Sequence, residues 1–299
     1  MQHRKVVFKI APLAVACLII SALLALPTRN AGAAGGVSEA FESAARRHGV
    51  PQALLMAIGY VETRWEQPAG RALDGGVGLM HLTAGDDGTL QRALRLTGAT
   101  EKELESNVAA NINAAALVIR DISQEIGSDA FSKENLPKVL QTYSGLADAR
   151  VTFSYVQDVL TVMREGRVLQ LSSGEWVTLA GNASYSAPDS LKDVPMSADY
   201  GPALWVPAHP NNYTVGRPYG PLNLIVIHDT EGSYYSAINW FQNPNSNASA
   251  HYVIRSSDGQ ITQMVRHANT GWHAGNWDYN VRSLGIEHEG FMNQQGWYT

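Results

Sequence analysis

The sequence predicts a multidomain chain, with an all-α region first and an α/β region built on a central mixed sheet second. Three observations carry this. Residues 37–166 space their apolar side chains at helical intervals and hold few strand signals. Residues 170–220 collect Pro188, Pro195, Pro202, Pro207, Pro210 and Pro218 among many Ser, Asn and Ala residues. From Leu222 onward, short apolar runs of strand length appear, with one amphipathic stretch between them. A length of 299 residues leaves room for two domains of ordinary size, and 45% hydrophobic with 16% charged residues suits a globular protein. The net charge of −5 and the lack of a basic block give no reason to expect nucleic acid as a partner.

Taken in order, the chain begins with His3, Arg4, Lys5 and Lys9, then an apolar run from Ile10 to Leu26, then a small and polar stretch ending in Ala31-Gly-Ala33. That order reads as a signal peptide over residues 1–33, cleaved after Ala33, with no stable membrane anchor left afterwards. Pro12 and the shortness of the run argue against a membrane span. The one cysteine, Cys17, lies inside this segment, so the mature chain has none and relies on its core or a metal for stability.

In the helical region, Ser38 is placed to cap a first helix carrying Phe41, Ala44 and Ala45, and Pro51 to start a second carrying Leu54, Leu55, Ile58 and Val61. Glu101–Glu105, Asn107–Ile122, Leu136–Tyr143 and Val156–Met163 complete a set of four to six helices. Residues 167–215 read as a linker and lead-in. Beyond it, Leu224–Ile227, Tyr252–Arg255, Ile261–Val265 and Leu284–Glu287 read as strands. Ser257-Asp-Gly-Gln260 makes the turn of a hairpin, and Ala237–Phe241 a helix packed on the sheet.

Four blocks carry the chemistry of the second region: Leu224-Ile-Val-Ile-His228, Ala250-His-Tyr-Val-Ile254, Gly271-Trp-His-Ala-Gly275 and Ser283-Leu-Gly-Ile-Glu-His-Glu-Gly290. In this order they resemble the zinc-dependent N-acetylmuramoyl-L-alanine amidases, a group that also includes the peptidoglycan recognition proteins. The resemblance covers residues 216–299. It implies a Zn2+ held by two histidines and an Asp or Cys, with His228 as the first ligand and Glu287 as the catalytic base. Strand alternation lets Glu287 and Glu289 face the same cleft. Glu287 is the better match for the base, and Glu289 is expected to touch substrate or brace a neighbour. His273 and Trp272 are expected to line the cleft and contact substrate, and neither His251 nor His273 to bind zinc. Nothing after Glu289 resembles the remaining two ligands. This implies a truncated or a degenerate amidase domain, with weak zinc binding by the 1–299 chain.

The first region carries a second set of blocks: Glu62-Thr63, Gly78-Leu-Met-His-Leu82, Asn111-Ile112 and Tyr143-Ser-Gly145. They resemble the lysozyme-like soluble lytic transglycosylases over residues 37–166, with Thr63, His81 and Ser144 standing where that family has Ser, Gln and Asn. The resemblance implies Glu62 as the acid that protonates the glycosidic oxygen and then acts as base, assisted by the sugar's own acetamido group. Tyr143 would orient the substrate or the acid. A second carboxylate is not needed for this chemistry, and Asp74, Asp86 and Asp87 read as loop residues. Both resemblances imply one polymer, peptidoglycan, as partner, and a secreted or cell-wall location. The expected function is an exported hydrolase that cuts between N-acetylmuramic acid and L-alanine, with a glycan-binding or glycan-cleaving first domain. A non-catalytic peptidoglycan-binding protein and a lytic transglycosylase alone are the alternatives.

Overall fold

The structure, a computed structural model, describes residues 36–85, 88–186, 196–294 and 297. The signal segment 1–33, with Cys17, and the loop residues Asp86 and Asp87 lie outside the described residues. Among those described, no helix is long and apolar enough to cross a membrane.

The first region folds as seven helices: α1 Val37–His48, α2 Gln52–Thr63, α3 Thr89–Thr97, α4 Glu101–Ser106, α5 Val108–Ile126, α6 Leu136–Ser144 and α7 Ala149–Glu165. Each expected helix is found, and α3 is an addition. Local chemistry sets several of the ends. Asn107 accepts the Ala110 N–H and caps α5, while Asp148 accepts from Arg150 and Val151 and caps α7. Pro51 sits at the N-cap of α2, as its fixed φ suits. Helix α2 stops because Arg64 and Trp65 both turn left-handed, and the second turn carries Trp65 into the core with its Nε1–H on the Met56 carbonyl at 2.6 Å. The helices share one core, in which Phe41, Leu54, Leu55, Ile58, Ile112, Ile119 and Val159 are fully buried.

Two features differ from expectation. Ser38 lies inside α1 rather than capping it. The carboxylate of Glu175, from far along the chain, accepts the N–H groups of Val37 and Ser38 at 2.8 and 3.0 Å and does that work. Glu175 stands there because the stretch expected as a linker opens with a hairpin, β1 Gly166–Gln170 against β2 Trp176–Ala180, packed on the helices. Val177 and Leu179 alternate inward, which is the period-two pattern that holds the hairpin in place.

The later part of the same stretch supplies β3 Leu204–Trp205 and β4 Tyr213–Thr214. The remaining elements are β5 Leu224–Asp229, α8 Tyr234–Gln242, β6 Tyr252–Ile254, β7 Ile261–Gln263, β8 Thr270–Gly271, α9 Trp277–Arg282 and β9 Ser283–His288. The main sheet has the order β3-β7-β6-β9-β5 and is mixed: β6 and β7 form the expected antiparallel hairpin, and the other pairs are parallel. Strands β4 and β8 pair separately. All described residues of both regions fall in one compact unit.

Candidate functional sites

The register of the parallel pair β5 and β9 sets Val226 beside Gly285 and His228 beside Glu287. Residues paired in this way point to the same side of a sheet. His251, next to Gly285 through the β6 pairing, joins them. Above this face lies the loop carrying His273, and Gly285 makes room for it: a Cβ at residue 285 would stand 2.3 Å from the His273 ring. The His228 Nε2 and His273 Nδ1 atoms are 3.0 Å apart.

The hydrogen bonds around this pair set its protons. Ser283 Oγ donates to the Tyr279 carbonyl at 2.6 Å, so it accepts from His273 Nε2 at 3.0 Å. His273 Nδ1 is then the bare nitrogen that receives the His228 N–H. Burial pushes His228 below the ordinary histidine value, and burial with the neighbouring His228 and Arg217 pushes His273 down to about 4. Both rings are therefore neutral near pH 7, the form in which imidazole binds metals. His251 is committed elsewhere. It is fully buried, accepts the Gly285 N–H on Nδ1 at 3.0 Å, and burial depresses its pKa to about 3.

The two glutamates of this face divide. Glu289 accepts the Tyr234 N–H at 3.0 Å on one oxygen and the Ser256 N–H and hydroxyl at 2.8 Å on the other. Of the two roles expected for it, substrate contact or bracing a neighbour, the hydrogen bonds match bracing: it fastens the start of α8 to the β6–β7 turn with both oxygens. Glu287 has a buried Oε2 with no hydrogen-bond partner. Burial, reinforced by the charge of Asp229, raises its pKa to about 8. It faces a space of only about 10 Å3 lined by Thr230, Ser236 and Trp240, with Leu73 and Asp74 of the helical region closing the other side. A more open groove of about 330 Å3 lies where β5 and β9 end, beside Ile227, His228, Asp229 and His288. Trp272 is half-buried and donates its Nε1–H to Thr214 at 3.0 Å, which holds the loop that presents His273.

Zinc can be tested against these residues. Two imidazoles meet with nitrogens facing each other, which suits a soft-to-borderline cation. Yet among the described residues no three of His, Cys, Asp and Glu come together as a metal-binding group. Three protein ligands are the usual minimum of a catalytic zinc site. The described residues therefore do not complete one.

In the helical region, Glu62 ends α2 and is 6% exposed. The loop beneath it is built around Asn111, whose amide donates to the carbonyls of Val77 and Leu104 and accepts the Met80 N–H at 2.8 Å. Gly78 is left-handed there, and a Cβ would overlap the Asn111 amide at 2.1 Å. Thr63 donates to the Leu79 carbonyl and Tyr143 to the Met80 carbonyl, so Tyr143 braces the cleft floor. Burial raises the Glu62 pKa, against a lowering influence from the charge of His81 and the hydrogen bond from Ser233.

Two contacts around Glu62 were not foreseen. Asp74, read from the sequence as a loop residue, is buried and meets His81 Nε2 at 2.9 Å. Burial alone would lower the pKa of His81, but Asp74 and Glu62 together raise it to about 9. Ser233, from the α/β region, donates its hydroxyl to Glu62 Oε2 at 2.9 Å. The only sequence signals were the unusual His at residue 81 and a serine placed to cap a helix. Neither reveals a partner so far along the chain.

Comparison with known proteins agrees with this division. Residues 39–158 match the family of the transglycosylase SLT domain, and residues 218–299 match the N-acetylmuramoyl-L-alanine amidase family. N-acetylmuramoyl-L-alanine amidase A of Achromobacter lyticus is 48% identical over 94 residues, covering 31% of this chain and 51% of that protein. The chain thus spans about half the length of the curated relative it matches. Among solved structures, a mutant endolysin from Bacillus subtilis is 25% identical over 27% of this chain and 58% of its own, with a TM-score of 0.23, too low to bear on the fold. Residues 39–158 are a domain of the transglycosylase SLT family, and residues 218–299 a domain of the N-acetylmuramoyl-L-alanine amidase family.

Proposed function

We propose that this chain is an exported peptidoglycan hydrolase whose α/β region cleaves the amide between N-acetylmuramic acid and L-alanine of the stem peptide. The observation that carries the reading is the pairing of His228 with Glu287 on one sheet face, where Glu287 keeps an uncommitted, buried oxygen. A base needs a free lone pair within reach of the proton it takes and a pKa near the working pH. Glu287 keeps the free lone pair, has a pKa of about 8 and faces a space with room for roughly one water, whereas Glu289 has spent its oxygens on the fold. In this reading Glu287 takes a proton from the attacking water and returns it to the leaving amine. His273 and Trp272 line the side from which the stem peptide enters, and Leu73 narrows the approach.

Zinc belongs to this proposal, with His228 as a ligand this chain contributes. His273 Nδ1 is the nearest further nitrogen, and at least one more donor is needed than the described residues bring together. The helical region is the part that acts on the glycan strand, with Glu62 as its acid, in support of which stand its place at the end of α2 and its raised pKa. The leader at residues 1–33 carries the chain out of the cytoplasm, to where its substrate lies. The test is product analysis on purified peptidoglycan with added zinc. Free stem peptides mark the amidase and anhydromuramyl ends mark glycan cleavage. Sedimentation with the polymer and neither product would leave only binding and sink the enzymatic reading.

A further inference from the structure

We propose that the start of α8 is an internal cover for Glu62: docking of the α/β region silences glycan cleavage by the helical region, and release of that contact switches it on. This rests on the reading of Glu62 as a glycan-cleaving acid.

The cover begins at Ser233. Its hydroxyl donates to Glu62 Oε2 at 2.9 Å and accepts the Ser236 N–H at 3.2 Å, so a single oxygen both caps α8 and stops the carboxyl. Ser233 is wholly buried. The next turn fills what is left of the cleft. Tyr235 sets its ring edge-on to Tyr155 of α7, with centroids 5.1 Å apart, and Ser236 and Asn239 close the side facing His81. The space remaining beside Glu62 is about 10 Å3. That is room for roughly one water, whereas a pocket that holds a small ligand runs to about 300 Å3 or more. A proton donor must come within about 3 Å of the oxygen it protonates. No sugar reaches Glu62 while Ser233 and Tyr235 are seated.

The cover is latched by polar groups. Arg255, at the end of β6, reaches Asp158 at 2.9 Å, Ser154 at 2.8 Å and the Tyr235 hydroxyl at 2.8 Å, the first two on α7. Arg64 reaches Ser256 at 2.7 Å across the same boundary. These polar contacts flank an apolar seam, in which Tyr234, Tyr235 and Ile238 of α8 join the same buried cluster as Tyr155 and Val159 of α7. In this proposal, binding to a polymer strand biases the seated contact toward a released one.

The test uses the full chain. Arg255→Leu with Asp158→Asn removes both halves of the latch and leaves no buried charge unpaired. Tyr235→Ala empties the cleft by a second route. Hydrogen exchange over Tyr234–Gln242 reads the opening, and anhydromuramyl ends released from peptidoglycan read the consequence. The expected result is faster exchange in α8 with the helices of residues 37–165 still protected, and at least a tenfold rise in anhydromuramyl ends. Adding Glu62→Gln to the opened variant should return the yield to background. The proposal is overturned if exchange quickens without a rise in ends, if the rise survives Glu62→Gln, or if neither variant quickens exchange. Stem-peptide release, followed in the same digests, reports on the amidase reading separately.

Discussion

Glu62 and Glu287 sit in different folds, yet both are more than nine-tenths buried and both have a pKa raised chiefly by that burial. Their surroundings then part. Glu62 has the cation of His81 nearby and a hydroxyl donor from Ser233, so its charge is partly met and its oxygen occupied. Glu287 has a second carboxylate, Asp229, as its main electrostatic neighbour and one oxygen with no partner. Burial by itself therefore does not distinguish a working acid or base from a glutamate that has been absorbed into a boundary. What separates the two is whether a lone pair remains uncommitted.

Four substitutions sharpen or break that contrast. Glu287 is predicted to cost the fold most when ionised. Its pKa is raised from 4.5 to about 8, so the folded state holds a proton that the unfolded chain has lost. No penalty exists below pH 4.5; it grows up to pH 8 and is constant above. Glu287→Gln should raise stability by nothing at pH 4 and by up to about 4–5 kcal/mol above pH 8, at roughly 1.4 kcal/mol per pKa unit. Urea midpoints at the two pH values check this, and equal gains at both would contradict it.

Arg255→Ala comes next. It leaves Asp158, pushed up to about 6 by burial, without its cation, and should cost about 3–5 kcal/mol. The double change with Asp158→Asn should recover part of that loss in thermal unfolding. Third is His81, whose pKa is raised from 6.5 to about 9. Its contribution is complete below pH 6.5 and disappears as pH rises through 9. His81→Gln should therefore lower stability by about 3 kcal/mol at pH 6 and by much less at pH 9.5. A loss that does not change with pH would mean that the Asp74 contact acts through packing alone. The smallest effect is expected from Gly285→Ala. The added methyl drives the His273 ring away at a cost of about 1–3 kcal/mol. The imidazole NMR signals of His228 should then lose their coupling to His273.

Much of the scaffold could be read from the chain because its signals are local. Helical spacing located α1, α2, α5, α6 and α7, though α7 starts seven residues before the expected Val156 and α5 runs four past Ile122, and short apolar runs located β5, β6, β7 and β9 to within two residues. The stretch before β5 was misread because β3 and β4 are two-residue pieces with no period of their own. They become strands only because β7 and β8 offer partners. The β1–β2 hairpin is short and has one exposed face, with Val168 and Trp176 turned to solvent. At the candidate sites, His228, Glu287 and Glu62 were singled out because a resemblance named them. The contacts of Asp74 and Ser233 were not, since each is set by a partner in another element, and for the same reason the sequence left two roles open for Glu289. Ser233 and Glu62 are 171 positions apart.

The most direct measurement of the central claim is stem-peptide release from purified peptidoglycan, with added zinc, by the full chain and by its Glu287→Gln and Glu289→Gln variants between pH 6 and 9. If Glu287 is the base, release rises with pH and levels off above about 8. Glu287→Gln then loses on the order of 100-fold or more in rate, the scale of general base catalysis, and Glu289→Gln loses less than about tenfold. Release by Glu287→Gln at the unmodified rate, or loss in Glu289→Gln alone, would contradict the account.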